Sequence, residues 1–106
     1  MTNEYGVKLD LHGYAPSIFD QDEGCFICGL QTDLVRHEIF HGFNRQRSKE
    51  LGLWVNLCPN CHMKLHAGKE GLDGLLKFNG CQLAMQHYGW TPEDFRLRFG
   101  KFFWEA

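Results

Sequence analysis

Apolar residues recur along this chain at two spacings, and each spacing predicts an element. Leu53-Trp54-Val55-Asn56-Leu57 alternates with the period of two expected of a half-buried strand. Leu34 to Phe40 is rich in strand-forming residues and reads as the strand before it. Between them, Gly42 to Gly52 is polar and reads as a loop or a short turn of helix. Cys61 to Ala67 reads as a short helix that Gly68 ends. Leu75, Phe78, Cys81, Met85 and Tyr88 fall at helical spacing and predict an amphipathic helix over 70–88, although Gly74 and Gly80 weaken it. Thr91-Pro92-Glu93-Asp94 has the form of a helix start, and Phe95, Phe99 and Phe102 follow at i, i+4 and i+7. Residues 1–24 show little periodicity, since Gly6, Gly13 and Pro16 interrupt them. Only Val7, Leu9 and Leu11, alternating with Lys8, Asp10 and His12, predict a short strand there. There are no internal repeats, and no apolar run approaches the roughly 20 residues that a membrane span needs.

Strands followed by helices predict an α+β protein, and 106 residues hold one domain. A domain of this size buries only about two-thirds of the surface its unfolded chain exposes, so a metal staple would help it. The start Met1-Thr2-Asn3-Glu4-Tyr5 has no basic region followed by an apolar stretch, so the expectation is a cytoplasmic protein with no export signal and no membrane partner. Thiols stay reduced in that compartment, which makes paired cysteines metal ligands before disulfides.

The net charge of −2 does not announce a nucleic-acid binder. Its distribution is more informative. Residues 1–24 carry one lysine against five acids, a net of −4, whereas residues 25–106 carry ten basic and eight acidic residues, a net of +2. Arg36, Arg45, Arg47 and Lys49 form a modest basic patch opposed only by Glu38 and Glu50. Taken alone, such a patch is a solvated surface. The division that follows is an acidic N-terminal extension, 1–24, and a domain, 25–106, with a helical tail.

Cys25-Phe26-Ile27-Cys28 and Cys58-Pro59-Asn60-Cys61 are two C-x-x-C pairs separated by 29 residues. Two such pairs can close a tetrahedral four-cysteine zinc site, because a two-residue gap lets both sulfurs of a pair reach one ion at about 2.3 Å. Cys81, on the apolar face of a predicted helix, is expected to pack in the core. Histidines surround the second pair. His62 follows Cys61 directly and His66 comes one helical turn later, so a helix starting at Cys61 presents both imidazoles on one face. With His37 and Glu38 in the upstream strand, these residues suggest a second metal site.

At this point the chain resembles a known family. Cys25-x-x-Cys28, Arg36-His37-Glu38-Ile39-Phe40, Asn44-Arg45 and Leu57-Cys58-x-x-Cys61-His62-x-x-x-His66 resemble the HNH endonucleases with an embedded four-cysteine zinc. The pattern is closest to short phage and prophage proteins of bacteria and similar in layout to the endonuclease VII group. It covers residues 25–67 well, matches the tail vaguely and leaves 1–24 uncovered. The resemblance implies a ββα-metal motif stapled by structural Zn²⁺, with C-terminal helices and a catalytic Mg²⁺ or other divalent metal. His37 and His62 match the family's metal ligands, and His66 an additional one. The family's general base is normally a histidine at the position of Glu38, which is the main departure. Glu38 is then either the base or a ligand, and His41, three residues on, is the alternative base. A carboxylate with a reference pKa of about 4.3 is a weaker base near pH 7 than imidazole. The middle Asn of the signature has two candidates, Asn44 and Asn56. Arg36, Asn44, Arg45, Arg47 and Lys49 are the expected nucleic-acid contacts.

The expected activity is metal-dependent hydrolysis of DNA phosphodiester bonds. The alternatives are a catalytically inactive HNH-like module that binds DNA or a phage or host protein, and a purely structural zinc module with one metal per chain.

Overall fold

The computed structural model describes residues 1–19, 21, 23–68 and 71–103. Asp20 and Asp22 of the acidic extension, and Glu70 of the expected helix, lie outside the described residues. The elements are β1 (Val35–Glu38), a 3-10 turn (Gly42–Asn44), α1 (Arg45–Glu50), β2 (Trp54–Leu57), α2 (Pro59–His66), α3 (Leu72–Tyr88) and α4 (Pro92–Phe99). The protein is α+β, an antiparallel two-stranded hairpin followed by helices. Among the described residues no helix is long and apolar enough to cross a membrane.

β1 and β2 pair with Val35 opposite Leu57, Arg36 opposite Asn56, His37 opposite Val55 and Glu38 opposite Trp54. Val55 and Leu57 point inward and are fully buried, as the alternation predicts. The polar stretch between the strands forms α1 after a 3-10 turn. Buried Ser48 in α1 closes the hairpin: its Oγ donates to Leu53 O at 2.5 Å and accepts from Phe40 N at 3.2 Å.

α2 begins two residues earlier than the spacing alone suggested, because Pro59 fits the first helical position and Cys58 caps it, its sulfur accepting from Cys61 N. α3 packs on a different line from the one expected. Leu76, Gly80, Cys81 and Ala84 face the core, while Leu75 is 45% exposed. Gly80 explains the rotation: a Cβ there would lie 3.0 Å from Ile39 Cγ2 and 3.4 Å from Phe40 Cε2. The absent side chain lets the helix approach the end of β1 closely. Cys81 is fully buried, as expected. Thr91 and Asp94 form a reciprocal capping box at the start of α4. Phe95 and Phe99 stack at 4.7 Å, and Phe40 meets Phe99 at 4.8 Å.

The strand expected over Val7–His12 does not form. The only pairing in the first 19 residues is an isolated bridge between Thr2 and Lys8, and Leu11 is fully exposed, so no burial rewards the alternation. The segment instead crosses the hairpin. Ala15 N donates to Lys49 O and Ile18 N to Gly52 O, while Trp54 Nε1 donates to Ala15 O. Gly52 permits the crossing: its φ is +73°, and a Cβ would lie 2.3 Å from Pro16 O. Tyr14, Ala15 and Phe19 are buried.

Candidate metal centre

Two turns bring the four cysteines together. Cys25 N donates to Leu30 O and Gly29 N to Cys25 O, which folds the first pair into a knuckle, and Phe26 N donates to Asn56 O to dock it on β2. The second pair lies where β2 passes into α2. One sulfur from each of Cys25, Cys28, Cys58 and Cys61 lies within 4.8 Å of the other three. Cys28 and Cys58 are 3.6 Å apart at Sγ. That is far beyond a disulfide bond and close to the roughly 3.8 Å edge of a tetrahedron of sulfurs about 2.3 Å from one zinc. Burial raises the Cys25 thiol, but the backbone amides of Cys28, Cys58 and Ile27 outweigh it and bring the thiol down to about 6. Burial and the three neighbouring sulfurs push Cys61 up to about 12. Four thiols so crowded cannot all ionise without a cation among them. The cluster therefore fits a structural Zn²⁺.

A second cluster joins β1 to α2. β1 supplies His37 and α2 supplies His62 and His66, and their ring nitrogens fall within 4.8 Å of one another. His62 and His66 face each other at 2.9 Å between Nε2 atoms. His37 is 3% exposed, and its Nε2 is the one buried side-chain polar atom among the described residues with no hydrogen-bond partner. Burial, with the adjacent His62, His41 and His66, pushes His37 down to about 4. Burial and His66 likewise lower His62. Neutral imidazoles with unshared lone pairs are the form that ligates metal. Three imidazole nitrogens suit a transition-metal cation; Mg²⁺ prefers oxygen donors.

Glu38 is turned to the other side of the strand. It is buried, and each carboxylate oxygen holds a short hydrogen bond: Oε2 accepts from Tyr14 OH and Oε1 from Arg45 Nε, both at 2.6 Å. His41 stays on the histidine side, with ring centroids 5.8 Å from His37 and 6.0 Å from His66. Its Nε2 lies 3.2 Å from Asp73 Oδ1 on α3.

The five expected nucleic-acid contacts all have partners within the chain. Arg36 is paired with Asp10 at 2.6 Å and lies over the rings of Tyr14 and Trp54. Arg45 holds Glu38, although its side chain is 56% exposed. Arg47 donates to Arg98 O, and Asn44 Nδ2 to Phe99 O. Lys49 is buried, its ammonium 4.8 Å from the centre of the Tyr14 ring. Asn56 lies in β2, where its backbone N–H donates to Gln21 Oε1 and its carbonyl accepts from Phe26 N of the first cysteine knuckle. Sequence reasoning passed over Tyr14 and Asp73. Nothing marked Tyr14, and an acid in the first turn of a helix is the ordinary complement to the helix dipole.

No protein-family model matches the chain significantly, and neither does any curated protein or solved structure.

Proposed function

We propose that this chain is a metal-dependent endonuclease of the HNH, ββα-metal kind, derived from a phage or prophage, that hydrolyses phosphodiester bonds in DNA. The observation that carries the reading is the convergence of His37, His62 and His66 on one point, with a buried, unpartnered ring nitrogen, beside a four-cysteine cluster. β1, β2 and α2 make the ββα-like element that holds them.

His37, His62 and His66 would hold the cation, which when bound would supply positive charge to the reacting phosphate. The chain's own work is to keep His37 and His62 neutral and all three imidazoles converged. His37 is fixed by strand pairing, and His62 and His66 by a helix whose cap is a zinc-cluster cysteine. The exposed edges of Arg45 and Arg47 are the proposed phosphate contacts.

Plasmid nicking with Mg²⁺, Mn²⁺, Zn²⁺ or EDTA, run beside elemental analysis, tests the reading. The expected result is metal-dependent nicking by a protein that holds two ions per chain. No cleavage with any metal removes the enzyme reading, and one ion per chain selects a purely structural zinc module. The double engagement of Glu38, at the position where the family carries its base, favours a second reading: an inactive HNH-like module that binds DNA or a protein partner.

A further inference from the structure

We propose that His41 and Asp73 form the dyad that deprotonates the attacking water, with His41 as the base and Asp73 as its positioning residue. The proposal rests on the nuclease reading above and deepens it by naming where the proton goes.

Four observations carry it. His41 Nε2 and Asp73 Oδ1 are 3.2 Å apart, and the other oxygen of Asp73 is tied to Lys77 Nζ at 2.9 Å. The carboxylate is thereby held on two sides. Second, the His41 ring lies beside two of the three clustered histidines, His37 and His66, with centroids no more than 6.0 Å away. His41 thus borders the cluster at which the attacking water is proposed to bind. Third, the His41 side chain is 39% exposed, so water can enter. Fourth, Glu38 spends both of its oxygens on Tyr14 and Arg45.

The separation of His41 from Asp73 is set by packing. His41 follows the buried pair Ile39-Phe40, and both of these side chains abut Gly80 of α3, the helix that carries Asp73 in its first turn. With Nε2–H donating to Asp73, Nδ1 is the nitrogen left with a lone pair, and it has no hydrogen-bond partner among the described residues. The geometry is that of a base oriented by a third group.

The proposed step balances as follows. The water oxygen forms the new bond to phosphorus, and one bridging P–O bond breaks with its electron pair on the leaving oxygen. The water's proton passes to His41 Nδ1. The leaving oxygen takes a proton from solvent, and His41 returns its own to solvent afterwards.

Two measurements test the dyad. In single-turnover cleavage of a plasmid, His41→Ala is expected to lower the rate about 100-fold or more, the usual contribution of a general base, with partial rescue by added imidazole. Asp73→Asn is expected to lower kcat with KM and metal content unchanged. Independently of cleavage, long-range ¹⁵N spectra of the neutral wild-type His41 ring should show the proton on Nε2, and Asp73→Asn should mix the tautomers. A cleaving wild type whose His41→Ala variant keeps its full rate overturns the dyad alone, as does a His41 proton found on Nδ1. A wild type that cleaves nothing with any metal overturns the nuclease reading and the base role with it.

Discussion

The hydroxyl of Tyr14 donates to the carboxylate of Glu38 at 2.6 Å, joining the acidic N-terminal segment to the end of the first strand. Glu38 is 8% exposed, so this bond and the one from Arg45 replace the water its charge has lost. Tyr14→Phe keeps the ring that stacks under Arg36 and removes only the donor. The expected cost is about 1.5–3 kcal/mol in urea unfolding, the range for a hydrogen bond to a charged group. A loss within about 0.5 kcal/mol, as for an ordinary surface change, would mean that solvent serves Glu38 equally well.

Tyr14 also gives the fold an alkaline limit. Burial and Glu38 push its hydroxyl up to about 12, and burial with Tyr5 and Glu4 does the same to Tyr88. A phenol that ionises later in the folded state favours folding while it stays protonated. The contribution is complete below pH 10 and is lost as pH rises from 10 through 12. The urea midpoint should fall across that window, and Tyr14→Phe should fall less steeply. Equal slopes for the two proteins would show that Tyr14 ionises normally.

Cys58 is both a member of the sulfur cluster and the cap of α2. Cys58→Ser is therefore expected to leave the chain largely unfolded and without zinc. A structural zinc contributes about 10 kcal/mol or more in small peptides, against a typical total stability of about 5–15 kcal/mol. Cooperative melting near that of the wild type, seen by circular dichroism, would show that the four cysteines do not staple the fold.

Removing an imidazole should act locally. His37→Ala and His62→Ala are expected to abolish DNA cleavage and reduce the metal content from two ions to one, with far-ultraviolet dichroism unchanged. Glu38→His, which places at that position the residue usual in the HNH endonucleases, separates the two candidate bases. If His41 is the base, Glu38→His does not restore cleavage to His41→Ala; rescue in the double variant would return the role to residue 38.

The aromatic tail sets the remaining stability. Phe99 is 4% exposed and packs against both Phe95 and Phe40. Phe99→Ala should cost about 3–5 kcal/mol by denaturant melts. A loss below about 1 kcal/mol would make the segment a surface for a partner.

The hairpin, α2, the start of α4 and the sulfur cluster were legible in the chain because each is written locally, in a period of two, a cap, or a two-residue gap between cysteines. The pairing of His62 with His66 followed from one helical turn. What was not legible was contact across distance. Arg36 reads as a phosphate contact, and nothing local shows that Asp10, Tyr14 and Trp54, 18 to 26 residues away, engage it within the chain. The face of α3 was misplaced because helical spacing marks the large residues, while the contact turns on what Gly80 lacks. The His41–Asp73 contact spans 32 residues and leaves no local mark.

Side chains alternate along a strand, so the register of β1 on β2 decides more than stability. A slip of one residue would exchange the faces of His37 and Glu38. The imidazole would then meet Tyr14 and Arg45, and a carboxylate would stand among the rings of α2. Such a hairpin would offer one oxygen and two nitrogens, a harder donor set that favours different cations. The grip of Tyr14 and Arg45 on Glu38 thus proofreads the hairpin, and with it the donor atoms that the strand presents to α2.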